Sequence, residues 1–216
     1  MTLSCILLAL ILDAFFGEPN WLWSKLQHPA VTFGKIITWG EKKYNNGINR
    51  KGKGVIFLSV IVIFLATVGY IIEQLPFSAI WKILIVAILL SHKSLIEHVS
   101  AVSLGLQKDI DHGRKAVAMI VGRDTATLNE SNVARSAIES AAENFSDGII
   151  APLFWFFIGG LPGIIVYKFV NTADSMIGYK HPQLEQFGWA SAKLDDILNW
   201  IPARLSGLLI LSLIHI

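Results

Sequence analysis

The chain is 216 residues long, 53% hydrophobic and 16% charged, with a formal net charge of +2 and a mean hydropathy of +0.55. Soluble domains of this size carry about a quarter charged residues, and here the apolar residues come in runs, so a soluble globular protein is excluded in favour of an integral membrane protein. The basic residues cluster beside an apolar segment without interleaved aromatics, which argues against nucleic acid as a ligand.

The lone Cys5 excludes an intramolecular disulfide and a cysteine metal cage. The six histidines show no HExxH or similar spacing, and His92 and His98 do not share a helix face. Thr2 to Phe16 reads as a short first membrane helix. A signal peptide is the rival, but no basic residue precedes the apolar core and no small-x-small cleavage site follows. Asp13, near the end of that helix, is costly at such depth unless paired or watered, which makes it a functional candidate.

Residues 17–54 read as a polar loop rich in lysine, cytoplasmic by the positive-inside rule, with Trp21, Trp23 and Trp39 suited to an interfacial belt. Gly47, Gly52 and Lys53 match GxxxxGK. Gly54 replaces the required hydroxyl residue and no strand precedes, so a phosphate loop is rejected. Val55 to Leu75 is long enough to cross a membrane. After a turn at Gln74-Leu75-Pro76, Ala79 to Leu90 returns, and a more polar helix continues from Ser91 to Gln107. Asp109 to Arg114 reads as a turn, and Lys115 to Gly122 as a short amphipathic segment.

Val121 to Asp147 holds most of the polar side chains able to do chemistry. On a helix, Asn132, Arg135, Ser136, Glu139 and Glu143 fall in one stripe, with Val133, Ala137, Ile138 and Ala141 opposite. Asn129 or Ser131 is the expected N-cap and Gly148 the expected stop. The stripe is either a solvated surface face, with Arg135 and Glu139 as an ordinary ion pair, or a binding site where the membrane begins.

Ile149 to Val170 resembles one more span, but Gly159-Gly160-Leu161-Pro162-Gly163 interrupts it. Ten helical residues cover only about 15 Å, roughly half the hydrocarbon thickness, so a broken or re-entrant hairpin is expected. A hairpin returns the following polar segments to the side of the stripe. In those segments Lys168, Asn171, Asp174 and Ser175 share a helix face, and Asp195, Asp196 and Asn199 stand at i, i+1 and i+4. Oxygen ligands one turn apart suit Mg²⁺ bound to a phosphate, though an acidic cap pair would read the same way. Ala203 to Ile216 begins another apolar helix, which reads as the front of a longer protein.

Taken together these stretches resemble the adenosylcobinamide-phosphate synthase (CobD/CbiB) family of cobalamin biosynthesis. The resemblance is carried by DAFFGEP from Asp13 with His28-Pro29 and Gly34, VGRDT at 121–125, and ESAAENFSDGIIAPLF at 139–154. NTADSMIGYK at 171–180 and FGWASAKLDDILNWIPARL at 187–205 complete it. Residues 47–117 match only in hydropathy, and the chain lacks the final third of the family's length. The expected fold is all-α: a polytopic membrane helical bundle over 1–216 with a broken or re-entrant apolar hairpin. A cytoplasmic polar helix region is expected at 109–148 and further cytoplasmic polar stretches at 17–54 and 171–202.

The resemblance implies a multi-pass enzyme of the inner cell membrane with its site facing the cytoplasm. Such an enzyme joins a propionate of adenosylcobyric acid to aminopropanol phosphate or ethanolamine phosphate, driven by ATP and a divalent ion. Expected partners are the corrinoid, the amino alcohol phosphate and the lipid bilayer, with a homo-oligomer or other corrinoid-pathway enzymes as further associations. The residues carried over are Arg123, Asp124, Thr125, Glu139, Glu143, Asn144, Asp147, Asn171, Asp174, Ser175, Asp195, Asp196, Asn199 and Arg204. In the resulting mechanism Asp174, Asp195 and Asp196 hold Mg²⁺, Arg123 and Arg135 clamp phosphate or carboxylate, and Glu139 or Glu143 accepts the ammonium proton. Asp124, Thr125, Asn144, Asp147, Asn171, Ser175, Asn199 and Arg204 are expected to bind substrate. A transporter with a broken helix, or a scaffold for pathway enzymes, are the alternatives from other classes.

Overall fold

The computed structural model describes residues 2–17, 19–122 and 124–214, and every regular element among them is helical. In chain order these are α1 (Thr2–Phe16), α2 (Asn20–Trp23), α3 (Pro29–Tyr44), α4 (Arg50–Glu73), α5 (Ser78–Leu89) and α6 (His92–Lys108). They continue as α7 (Ile110–Val117), α8 (Glu130–Phe145), a π turn (Ser146–Ile150), α9 (Ala151–Ile177), α10 (Trp189–Asn199) and α11 (Pro202–Ile214). Three apolar stretches are long enough to cross a membrane: Arg50–Glu73, Ser78–Lys108 and Glu130–Ile177. Only the first is one uninterrupted helix.

The expected loop at 17–54 is largely helical. His28 caps α3, with Pro29 preset at the first turn, and Asn49 caps α4 by accepting from Gly52 N at 3.1 Å. Because that cap lies at Asn49, α4 begins five residues before its apolar run and carries Arg50, Lys51 and Lys53 on its first turn. Asp109 to Arg114 is not a turn either. Asp109 accepts from His112 N at 2.8 Å and so caps α7. The carboxylate of that exposed Asp109 is held below the usual range by this backbone bond and by the His112 side chain.

The second stretch breaks at Leu90–Ser91, where Leu90 is extended and Ser91 leaves the helical region. Asp13, buried at the end of α1, takes up the freed amides: its Oδ2 accepts from His92 N at 3.0 Å and Lys93 N at 3.2 Å. The acid that looked costly in the first helix is therefore an N-cap for another helix.

The third stretch turns back on itself. Gly160 has φ 60° and ψ −147°, outside the helical region, and two antiparallel arms meet there. Tyr167 Oη donates to the carbonyl of Asp147 at 3.3 Å, and Asn171 Nδ2 lies 3.4 Å from Asp147 Oδ2. In a straight helix those pairs would stand about 30 Å and 36 Å apart. A side chain at Gly163 would collide with the carbonyl of Trp155, so glycine there permits the close approach of the arms. The expected hairpin is present.

One expected boundary fails. Gly148 does not stop α8, because the chain passes through the π turn into the first arm with helical dihedrals at both ends. The second arm packs antiparallel to α4: Gly69 of α4 lies against Pro162 near the hairpin tip, and Gly54 against the carbonyl of Phe187 beyond the other end. The core between them holds Phe57, Phe156, Leu161, Ile164 and Phe169, with Phe33 of α3 edge-on to Phe169 at 5.5 Å. A smaller core, with Val102, Val117, Val133 and Ala137, fastens α8 to α6 and α7.

Candidate active site

The reversal at Gly160 brings three separate stretches of polar sequence to one place. Asp147 sits in the π turn at the start of the first arm, Tyr167 and Asn171 on the second arm, and Asp195 and Asn199 on α10. The docking of α10 is local in origin: Phe187 inserts into the core, glycine at 188 lets the chain pass close to the carbonyl of Ile177, and Trp155 Nε1 donates to Leu198 O at 3.0 Å. These contacts turn one face of α10 toward the hairpin.

The amide of Asn171 stands between two acids, with Nδ2 3.4 Å from Asp147 Oδ2 and 3.4 Å from Asp195 Oδ1. Asn199 Nδ2 donates to Asp195 Oδ2 at 2.9 Å, and Tyr167 Oη lies 2.9 Å from Asn199 Oδ1. Each group is thus tied to two others. Burial, foremost, pushes the Asp195 carboxyl up to about 6, with Asp174 and Asp147 adding negative charge nearby and the two amides opposing. Lys168, one position after Tyr167, brings positive charge within electrostatic reach of Asp147, and exposed Glu143 brings negative charge.

The donor set is all oxygen, from carboxylates and carboxamides, which suits a hard divalent cation. Among the described residues no group of three His, Cys, Asp or Glu is spaced to enclose a metal ion. Mg²⁺ commonly takes only one or two protein carboxylates and completes its shell with phosphate oxygens and water, so the pair of acids at Asn171 fits that mode. Of the three acids expected as ligands, Asp195 faces the network and Asp174 lies within electrostatic reach of it. Asp196 is exposed, with its carboxylate 3.0 Å from Lys193 Nζ, and reaches the cluster only through its charge near Asp174. Adjacent helical positions diverge by about 100°, which separates Asp195 from Asp196.

The remaining expected residues scatter. Arg135 and Glu139 form an exposed i, i+4 pair at 3.0 Å. The buried face of α8 carries Val133 and Ala137 but also Ser136 and Ser140, whereas Ile138 is 70% exposed. Ser140 is accommodated there by donating to Ile120 O at 2.7 Å. Asn144 Nδ2 donates back to Ser140 O at 2.9 Å and lines a cavity of about 400 Å³ with Ser91, Ser94 and His98. Thr125 is buried and donates to Arg114 O at 3.2 Å, and Asp124 accepts from Ala126 N, so both shape the loop before α8. Ser175 is exposed, and Arg204 stacks over Trp200 at 4.3 Å while donating to its carbonyl. Arg123 lies outside the described residues.

Tyr167 is in the network without having been among the expected site residues. Its i, i+4 spacing to Asn171 places both on one helix face, which is the signal in the sequence that could have found it. Asp13 is paired, as an acid at that depth requires, with the amides of His92 and Lys93 at the start of α6 and stands outside the network.

Residues 6–215 match the family described as CobD/Cbib protein. The chain is 51% identical to the "Cobalamin biosynthesis protein CobD" of Brucella anthropi, over 94% of this chain and 65% of that protein. It is 47% identical to the protein of the same description in Rhizobium meliloti, over 95% and 66%, and 41% identical to that of Halalkalibacterium halodurans, over 96% and 66%. The chain thus spans about two thirds of the length of these curated relatives. No solved structure matches it.

Proposed function

The chain belongs to the CobD/Cbib family, and from that premise we propose that it carries the carboxylate-bearing part of an amide-forming enzyme of cobalamin biosynthesis. The reaction is the ATP-dependent joining of adenosylcobyric acid to aminopropanol phosphate or ethanolamine phosphate, giving adenosylcobinamide phosphate. The observation that carries this reading is the Asn171 amide shared between Asp147 and Asp195 at 3.4 Å each. Two acids kept side by side, half-shielded from water, favour binding of a cation or an ammonium group.

A carboxylate is a poor acyl donor because oxide is a poor leaving group. In the proposed course a propionate oxygen attacks the γ-phosphorus of ATP, the bond to ADP breaks, and an acyl phosphate forms. The amine then attacks the acyl carbon, phosphate leaves with the C–O electron pair, and the proton of the attacking nitrogen passes to the protein. Asp147 accepts that proton, and exposed Glu143 one turn away hands it to solvent. Asp195 and Asp174 would hold Mg²⁺, which when bound neutralises charge on the phosphates. Asn171 and Asn199 keep both carboxylates of the network oriented, and Tyr167 fixes Asn199. Arg135 and Glu139 serve the surface of α8. The site faces the side of the membrane bearing the basic start of α4, the cytoplasmic side of an inner membrane by the positive-inside rule.

The test is conversion of adenosylcobyric acid, ATP and aminopropanol phosphate to adenosylcobinamide phosphate by membranes holding the complete protein. Asp147→Asn and Asp195→Asn should each lower the rate at least about a hundredfold with the protein still inserted, in line with loss of a general base or of a charge-stabilising group. Near-normal rates in both variants would end this assignment.

A further inference from the structure

Away from the acid network, a groove of about 350 Å³ runs between the end of α3 and the start of α4. Trp39 and Tyr44 form its α3 side, and Lys53, Ile56, Phe57 and Val60 its α4 side. On α4 these positions recur every three or four residues, so they line one helix face over about 10 Å. Phe57 is the floor. Its ring lies against Gly40, where any side chain would collide with it, and beside the rings of Trp39 and Tyr44. Ile56 and Val60 are 67% and 58% exposed, so the groove opens sideways from a membrane-crossing helix toward hydrocarbon. An apolar slot parallel to such a helix has the shape for an acyl chain.

The end of this slot is basic. Between residues 35 and 53 stand Lys35, Lys42, Lys43, Arg50, Lys51 and Lys53, against Glu41 alone. None of these six is ion-paired among the described residues, whereas Lys82, Lys93, Arg114, Arg135 and Lys193 are. Two of the six are engaged elsewhere: Lys51 Nζ stands over the Trp189 ring at 3.6 Å, and Arg50 lies 3.4 Å from Gln183 O. Lys43 and Lys53 remain at the groove. Lys43 Nζ lies 4.9 Å from the centre of the Trp39 ring and 5.5 Å from that of Tyr44, with no acceptor among the described residues. Lys53 Nζ donates to Asn46, whose two oxygens stand at 2.8 Å and 3.5 Å. Both oxygens are neutral, so its charge stays uncompensated. Asn46 also donates from its side chain to Lys43 O at 3.0 Å, which ties the two lysines to one turn.

We propose that this groove binds an anionic phospholipid, with its acyl chain along Ile56 and Val60 and its phosphate at Lys43 and Lys53. A free phosphate or a nucleotide would leave the apolar slot unused, and a zwitterionic lipid cancels the head charge that the lysines attract. Lysines at a membrane surface favour anionic lipid by about fivefold each. The site stands independently of the ligation reading.

The test is native mass spectrometry of the complete protein released from nanodiscs holding equal amounts of phosphatidylglycerol and phosphatidylcholine with the same acyl chains. Phosphatidylglycerol should be retained in preference, and Lys43→Gln with Lys53→Gln should lower that preference at least about tenfold. Lys43→Arg with Lys53→Arg should keep it. Val60→Trp fills the slot from an exposed position without changing charge, and should lower retention of phosphatidylglycerol at least about fivefold. Lys108→Gln with Lys115→Gln removes equal charge from exposed positions of α6 and α7 and should leave the preference unchanged. Equal retention of the two lipids, the same loss in the α6 and α7 variant as in the groove variant, or undiminished retention in Val60→Trp overturns the proposal. Displacement of the lipid by sn-glycerol 3-phosphate also overturns it, by showing that the head alone is recognised.

Discussion

Glu73, the last residue of α4, accepts from the backbone N–H of Leu161 at 3.1 Å, so one crossing helix holds the point at which the hairpin reverses. The same Oε1 lies 3.2 Å from Lys82 Nζ. An amide freed by a reversal inside an apolar layer has no water to bond, and Glu73 supplies the acceptor. The geometry of the acids at the far end of the hairpin depends on this fastening, because the two arms are fixed relative to each other only at the tip and along their contact.

Removing that acceptor should therefore loosen the fold. Glu73→Leu leaves an amide and an ammonium half-buried without their partner and should destabilise by about 2–4 kcal/mol. Glu73→Gln keeps an oxygen for Leu161 and should cost about 1 kcal/mol. Thermal unfolding in nanodiscs would rank the two, and equal midpoints would contradict the role given to Glu73.

Gly160 is the pivot. Its φ of 60° lies in the region that favours glycine, and a side chain there would run into the carboxylate of Glu73. Gly160→Ala should cost about 1–3 kcal/mol. Gly159→Ala, where a side chain meets nothing within 4 Å, is the control and should behave like the unaltered protein in the same unfolding measurement.

Asp195 makes stability depend on pH with a definite sign. Its folded-state value of about 6 lies above the 3.8 of the exposed group, so the folded protein holds more protons between those values. Stability contributed at this site is greatest below about pH 4 and falls as pH rises to about 6, by about 3 kcal/mol in order of magnitude. Denaturant midpoints in metal-free buffer should show this slope, and Asp195→Asn should flatten it.

Arg135 and Glu139 offer a contrast. Their exposed ion pair should be worth under about 0.5 kcal/mol, so Glu139→Ala should barely shift the unfolding midpoint. Turnover of the same variant distinguishes the candidate bases: retention of rate in Glu139→Ala together with loss in Asp147→Asn supports the network, and the opposite pattern returns the base to α8.

Sidedness follows from the hairpin. Cysteines introduced at exposed Ser131 and Lys193, in a protein whose buried Cys5 is replaced by alanine, should react with an impermeant reagent from the same side of the membrane. Ser191 is unsuitable for this purpose, being buried. Labelling from opposite sides would contradict the antiparallel arms.

Several of these features can be read in the linear chain because they depend on near neighbours. The run of glycines and proline at 159–163 is too short of helix-forming residues to continue a span, and Asn129 caps α8 as its side-chain chemistry dictates. Asp195 and Asn199 bond to each other because one helical turn separates them. Other features depend on partners far along the chain. Asp13 looks like a misplaced acid until the break at Leu90 exposes two amides to it. Ser136 looks like a member of the polar stripe, yet it lies on the buried face of α8 with Ser140, whose hydroxyl is met by the carbonyl of Ile120, and Ile138 is left outside.

What the residues fixed unaided was an all-helical membrane chain, a reversal near Gly160 and the family to which the motifs point. Periodicity, caps and apolar length are local quantities. The tertiary structure alone decided which acids meet, choosing Asp147 with Asp195 over the Glu139 stripe. That choice depends on how the arms and α10 rotate against one another, and rotation is set by packing at Gly163, Gly188 and Phe187 rather than by any spacing in the sequence.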